Sequence, residues 1–288
     1  MCTVSNIKGE IDIQRLPVNS EEHEFNNWIF KYTKSHILHS ICTTPEKCSN
    51  ENEKCLLCKY TGSLELPHFP EMVFPNNVLT LKHPSSAVIE FNALDALKVV
   101  CNGKLPIQVA CAEAWQESRS SENLEQKLKP FDWTFSSDYK GTLPNSVNVV
   151  ETEERIDIEK LKAKEKILFY QELMLYEDEL HDNGISSCTI KIRVMPSSFF
   201  VLLRFFLRVD NVMVRINDTR YFHDFTTDYI LREYTNKECG FSELKLPLTM
   251  FGDPNMLSPH MPLRTAIYEK ISFENINTNP TTSKTEVN

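Results

Sequence analysis

The sequence predicts an α+β fold, a single domain in which largely antiparallel β-sheets are flanked by α-helices. Residues 188–218, CTIKIRVMPSSFFVLLRFFLRVDNVMVRIND, hold three runs that alternate apolar with cationic side chains around two tight turns. That is the period-2 pattern of neighbouring antiparallel strands. Strand-like runs and helical spacings both occur elsewhere in the chain, with no visible repeat. The 288 residues, 41% of them hydrophobic, are ample for one large core or two modest ones.

In chain order, residues 1–23 are polar and weakly patterned and read as a flexible N-terminus. The domain then spans 24–274. Residues 25–38 (FNNWIFKYTKSHIL) alternate well enough for one or two strands, and 42–63 form a polar, Cys-rich insertion that reads as a loop. LELPHFPEMVFPNNVLTL holds three prolines, which favour short extended pieces, and Asn76-Asn77 make a turn before VLTL. Ala87–Asn92 is a strand, and Asn92 caps a short helix over Ala93–Val100. Leu105–Ala110 is a further strand, Trp115–Lys129 is charged and helical or loop-like, and FDWTFSSDYKGTL is aromatic and turn-rich.

Asp157 is placed to cap the longest predicted helix, Ile158–Asp182. Leu161, Ile167, Leu168, Leu173, Leu175 and Leu180 supply its apolar surface, and Asn183-Gly184 close it. The three strands follow, then a strand over Tyr229–Thr235, a short helix over Pro262–Tyr268 and a disordered tail over 275–288.

Asp210-Asn211 suits a two-residue hairpin, since both residues tolerate the left-handed region. That turn sets Val209 opposite Val212, Leu207 opposite Val214 and Phe205 opposite Ile216 on one apolar face, with the long helix as cover. The other face then carries Arg204, Phe206, Arg208, Met213, Arg215 and Asn217, continued by Lys191 and Arg193. Two readings of that face stand side by side. It is a solvated surface laced by internal salt bridges, or it is a cleft for an acidic peptide or chain end. Forked guanidinium donors fit a carboxylate, and Phe206 and Met213 add apolar contact.

Net charge is −9 with a pI near 5.5, which argues against nonspecific nucleic-acid binding. The N-terminal residues do not read as a signal peptide, and Phe199–Leu207 is broken by Arg204 and too short for a membrane span. The expectation is a soluble cytoplasmic protein. Nine cysteines, an odd count, read as reduced thiols.

No GxSxG, HExxH, Walker loop or dinucleotide fingerprint occurs. Asp178 and His181 lie one turn apart on the predicted helix but lack matching ligands from other helices, so they read as a solvated acidic end. His223-Asp224 reads as surface decoration on a loop. A hydrolase using His181, Asp178 and His223 is the enzyme alternative, and it requires all three in one pocket. His39-x2-Cys42, twelve residues, then Cys55-x2-Cys58 has the pair spacing of a structural zinc site, with Cys48 as a spare thiol. One pair is mixed and a lone CxxC is common, so the sequence assigns no metal and no cofactor.

The blocks PEMVFPNNVL, IEFNALDAL, VACAEAWQESR, FDWTFSSDYKGTL, IDIEKLKAKEKI, YEDELHDNGISS, IKIRVMPSSFFVLLRFFLRVDNV and RINDTRYFHD closely resemble the TIPRL family, the TIP-forty-one-like regulators of TOR signalling. The likeness runs from about Pro70 to Tyr234 and, more weakly, to Tyr268. It implies a mixed fold built on antiparallel sheets, with no catalytic activity of its own. It also implies a regulator, restraining in effect, of type 2A protein phosphatases that binds their catalytic subunits. A groove would take the subunit's C-terminal tail, which is acidic, aromatic and ends in a free carboxylate. A link to TOR runs through a phosphatase-associated partner, and the alternative is an adaptor that binds only that partner.

By motif position the resemblance assigns phosphatase binding to Asp95 (FNALDAL), Ile156 (RIDIEK), and Ile216 and Asp218 (RINDTR). Arg220 is added because it leaves the basic sheet at the cleft edge, and Arg204, Arg208 and Arg215 are the cationic face that suits such a tail. Packing alone also accounts for the isoleucines, a helix-start carboxylate for Asp95, and a strand-ending turn for Asp218. Residues 1–30 and the Cys-rich insertion depart from the family pattern, so the zinc spacing gains nothing from the likeness.

Overall fold

Asn26 and Asn27 both have positive φ, 49° and 64°, and close a two-residue hairpin between β1 (Asn19–Phe25) and β2 (Trp28–Lys34). Asparagine tolerates that region, and the twist of such a turn matches its strands. A computed structural model describes residues 18–64, 66, 69–100, 135–162 and 164–273. β2 continues antiparallel to β4 (Val78–Lys82), which pairs with β5 (Val88–Asn92), giving a four-stranded sheet in the order β1-β2-β4-β5.

The second sheet is larger. Its eight strands run β3 (Met72–Val73), β7 (Phe169–Asp178), β8 (Gly184–Val194), β9 (Ser198–Val209), β10 (Met213–Asp224), β11 (Tyr229–Gly240), β12 (Leu263–Phe273) and β6 (Val147–Glu151). Every pairing between named strands is antiparallel, and β7 to β12 form a meander in sequence order. Helices are short: α1 (Leu56–Ser63), α2 (Ala93–Lys98), α3 (Ile158–Lys162) and α4 (Pro254–Leu257). Among the described residues no helix is long and apolar enough to cross a membrane.

The main core lies between the sheets. Trp28, Phe30, Leu79, Leu81, Ile89 and Phe91 of the small sheet meet Ile190, Ile192, Phe199, Val201 and Leu203 of the large one. Phe199 stands edge-on to Trp28 and Phe30, at 5.0 and 5.3 Å between ring centroids, the arrangement that aromatic quadrupoles favour. Trp28 Nε1 donates to His223 Nε2 at 3.1 Å, and His223 Nδ1 lies 2.7 Å from the Tyr229 carbonyl. The imidazole is therefore a neutral Nδ1–H tautomer that satisfies two buried groups. His223 is 3% exposed on β10, not on a surface loop.

The predicted strands over Ala87–Asn92, Cys188–Met195 and Tyr229–Thr235 are present, the last extending to Gly240. Asn92 caps α2, accepting from the Asp95 amide at 2.8 Å. Four expectations are corrected. The first strand starts at Asn19, inside the segment read as flexible. Pro262–Tyr268 is not helical, since Leu263 begins β12. The 42–63 insertion is not wholly a loop, because α1 occupies its end.

The fourth correction is the long helix, which does not exist. Ile158–Asp182 divides into α3 and β7, with Ile167 and Leu168 exposed between them. FYQELMLYED alternates as a strand should, but a register shift between Met174 and Tyr176 leaves Leu175 and Tyr176 both buried. That break in the alternation imitates helical spacing. The predicted runs at 105–110 and 115–129 and the tail at 275–288 lie outside the described residues.

Gly184 opens β8 with φ of 151°, and a Cβ built there would lie 1.9 Å from the Arg208 carbonyl oxygen. Gly184→Ala is expected to cost about 2–4 kcal/mol in denaturant unfolding, and an unchanged midpoint would remove the close approach. A second prediction concerns pH. Burial pushes His83 down to about 4, with His223 adding to the effect, and burial lowers His223 as well. A folded-state pKa below the unfolded value of about 6.5 means that the unfolded chain binds more protons between the two. Stability from this source is therefore full above about pH 6.5 and falls as pH drops toward 4. The stability of the native chain relative to His83→Gln is expected to be lower at pH 5 than at pH 7.5. An equal gap at both pH values would contradict it. Asp224, held down to about 2 chiefly by the Lys160 hydrogen bond, acts only in a more acid window.

Candidate functional site on the outer face of the large sheet

The face that each arginine occupies follows from the β9–β10 register. Val209 pairs with Met213, Leu207 with Arg215 and Phe205 with Asn217, so the connection has three residues, Asp210-Asn211-Val212. Val212 N closes a turn on the Val209 carbonyl at 3.0 Å, with Asn211 at φ 61°. The extra residue has its own partner, because the Val212 carbonyl accepts from Phe241 N at 2.9 Å. One added residue moves all of β10 to the opposite face relative to the expected pairing. The single basic face is thus corrected. Arg204, Phe206 and Arg208 face outward with Val214, Ile216, Asp218 and Arg220, while Met213, Arg215 and Asn217 face the inter-sheet side.

Arg215 is committed to structure. Its Nε donates to Glu238 at 2.6 Å, a second guanidinium nitrogen also contacts Glu238, and Nη1 donates to Ser136 Oγ at 3.0 Å. Asn217 donates to the Ser137 carbonyl at 3.0 Å. Together these two side chains hold the aromatic, turn-rich 135–143 segment against the inner face.

Two covers lie on the outer face. At one end Phe241–Met261, including α4, packs Phe251, Leu257 and Met261 onto Phe206, Val214 and Ile216. At the other end Ile156 and Leu161 pack onto Phe222, Leu231 and Phe200. Between them runs a strip whose polar centre is Asp218. This carboxylate is 1% exposed. It accepts two hydrogen bonds from Arg204, Nε to Oδ1 at 2.6 Å and Nη2 to Oδ2 at 2.8 Å, and a third from Arg220 Nη2 at 3.2 Å. Arg204 Nη1 goes on to Asn255 Oδ1 of α4 at 2.7 Å. The fork satisfies both charges where burial would otherwise be prohibitive.

Arg204, Arg220 and Lys237 face this strip with two carboxylates, Asp218 and Glu233, the latter directly across from Arg220 on β11, so it carries a formal excess of one positive charge. Lys237 donates to the Ser258 carbonyl at 2.6 Å, and its pKa is pushed down by burial first and then by Arg220 and Arg204 nearby. Arg220 keeps 29% of its side chain exposed and pairs among the described residues with Asp218. Leu202, Thr235 and Tyr268 are half-buried and give the strip apolar edges. Arg208 lies toward the far end, with Nε 2.7 Å from Asp210 but poorly aligned for a hydrogen bond.

The sequence-named residues therefore divide. Arg204, Asp218 and Arg220 form one cluster, with Ile216 under one flanking cover and Ile156 part of the other. Ile156 N also donates to Glu233 Oε1 at 2.8 Å. Asp95 is elsewhere, hydrogen-bonded to Asn92, Thr142 and Lys98. Partial burial raises its pKa, and these bonds more than offset that, so it sits below the usual carboxylate range. Sequence reasoning missed Lys237 and Asn255. Extending the β11 alternation past Thr235 would have found the lysine, whereas nothing local marks the asparagine.

The residues of the hydrolase alternative do not meet. His223 pairs with Phe199 on β9, and Asp178 reaches Leu207 of the same strand through Ser186. Eight residues of strand at about 3.3 Å each put roughly 26 Å between them. Asp178 instead accepts from the Glu71 and Leu180 amides at 3.1 and 2.7 Å. The zinc spacing is corrected too: Cys42, Cys48, Cys55 and Cys58 converge, and His39 is not among them.

Residues 72–245 match the TIP41-like family. The TIP41-like protein of Homo sapiens is 47% identical over 90% of this chain and 93% of its own length. The TIP41-like protein of Caenorhabditis elegans is 41% identical, covering 82% of this chain and 84% of its own. The protein named Type 2A phosphatase activator TIP41 of Saccharomyces cerevisiae is 36% identical over 80% of this chain and 66% of its own.

Breaking the buried pair from one side should be severe. Asp218→Leu strands Arg204 and is expected to cost about 3–5 kcal/mol in urea unfolding. The double variant Arg204→Met/Asp218→Leu should recover most of that loss, and strictly additive losses would show that the pair is not coupled.

Proposed function

Since the chain belongs to the TIP41-like family, we propose that it is a non-catalytic regulator of type 2A protein phosphatases, binding the catalytic subunit and that subunit's acidic C-terminal tail. The observation that carries this reading is the cationic strip around Asp218, bounded by apolar cover at both ends. A tail that combines acidic and aromatic side chains with a free carboxylate needs guanidinium donors beside apolar walls. Arg220 is the donor we assign to the tail, because Arg204 is already engaged on both sides and Arg215 belongs to the inner face. Asp218 then acts as a positioning residue that aims Arg220, and Ile156 and Ile216 anchor the two covers. Asp95 is assigned to a separate contact with the body of the phosphatase.

Holding the tail withholds the catalytic subunit from holoenzyme assembly and from modification of its terminus, so the proposed effect is inhibitory. We assign this activity to TOR signalling in the cytoplasm. The name of the Saccharomyces cerevisiae relative records activation, and an assay of phosphatase activity with and without the full chain decides the direction.

The binding mode is tested by calorimetric titration of the full chain with a phosphatase tail peptide, as free acid and as C-terminal amide. Amidation and Arg220→Glu are each expected to weaken binding about tenfold or more, since charge-assisted hydrogen bonds contribute about 1.5–3 kcal/mol. Equal affinity of acid and amide would defeat the tail-capture mechanism.

A further inference from the structure

We propose that Cys42, Cys48, Cys55 and Cys58 bind a single zinc ion as a closed structural site. All four sulfur atoms lie within 4.8 Å of one another. Cys42 Sγ is 3.6 Å from Cys48 Sγ and 3.8 Å from Cys55 Sγ. Tetrahedral zinc with bonds of about 2.3 Å requires sulfur–sulfur separations of about 3.8 Å. A disulfide would bring a pair to about 2.05 Å, and these cysteines are all free. The spacing is that of four ligands around one centre.

Local structure delivers the ligands in two arms. Cys48 sits in a single turn of 3₁₀ helix, Lys47–Ser49, anchored by its amide on the Thr44 carbonyl at 3.1 Å. Cys55 is the N-cap of α1, and Cys58 lies in its first turn. The Cys55 amide donates to Cys48 Sγ at 3.2 Å, an outer-shell bond of the kind that orients and stabilises a metal-bound thiolate. Lys47, Lys54 and Lys59 each adjoin one of the four cysteines in sequence. Glu46, Glu51 and Glu53 lie in the same stretch, so neighbouring side chains leave the net charge of about −2 of a four-thiolate zinc unbalanced in sequence.

Apolar burial among the described residues of the insertion is slight. Among described side chains from 41 to 63, only Cys48 and Tyr60 are buried. Short segments with so little apolar burial are ordinarily held by disulfides or a metal. Here the one buried side chain besides Tyr60 is itself a ligand. Tyr60 then docks α1 on the main core, its hydroxyl donating to the Pro75 carbonyl at 3.3 Å. The site lies outside residues 72–245, which match the family, and it stands independently of phosphatase binding.

The test is elemental analysis of the full chain, expressed in zinc-supplemented medium and purified under reducing conditions without chelator. One zinc per chain is expected, falling to near zero in Cys48→Ser and Cys58→Ser and unchanged in His39→Ala. Exchange into cobalt should give the intense visible and sulfur-to-metal charge-transfer bands of a tetrahedral thiolate site, a readout that needs no variant. Zinc near zero with no cobalt spectrum would overturn the proposal. So would bound iron in place of zinc, a disulfide within 42–58, or loss of zinc in His39→Ala.

Discussion

The pairing of Val209 with Met213 governs the chemistry of the larger sheet. It puts Arg204 and Asp218 directly opposite each other on the outer face, where a bidentate ion pair can form. Slipped by one residue, the same strands would set Arg204 opposite Asn217, and Asp218 would turn toward the inter-sheet core. An unpaired carboxylate there would cost several kcal/mol. The pair in turn ties the sheet to α4 through Asn255 and orients Arg220 at the strip. Register, ion pair, cover and exposed cation are thus one linked arrangement.

Much of the fold could be read in the chain because alternation is a direct consequence of a half-buried pleat. Cys188–Met195, Ala87–Asn92 and Tyr229–Thr235 were all visible that way, as was the Asn92 cap. β7 was not, because its irregularity at Met174–Tyr176 buries consecutive residues. β12 was hidden behind Pro262, which ends the preceding turn and does not start a helix. The hairpin was placed correctly but its loop was one residue short. No local preference of Asp210 or Asn211 could reveal that Val212 is held by Phe241, nearly thirty residues later.

The candidate site inherits that error and its correction. Arginines alone suggested a continuous basic ribbon; the structure divides them into one inward residue that holds the 135–143 segment and an outward group around a buried carboxylate. Asp218, assigned on family likeness and explicable as a turn residue, is instead the organising group of the strip. The cysteine insertion shows the same limit. A spacing rule paired His39 with Cys42, whereas the thiol set aside as spare is the one that completes the cluster. Spacing along a chain constrains ligands only once the path between them is known.

We propose that the outer strip, and not the small sheet, receives an acidic chain end. Amide and arginine side-chain NMR shifts of the isotopically labelled chain, titrated with the tail peptide, measure this most directly. The largest changes are expected at 202–204, 218–220 and 235–237 and at the Arg220 guanidinium, with β1, β2, β4 and β5 unaffected. Changes centred on the small sheet, with the Arg220 guanidinium unmoved, would contradict it.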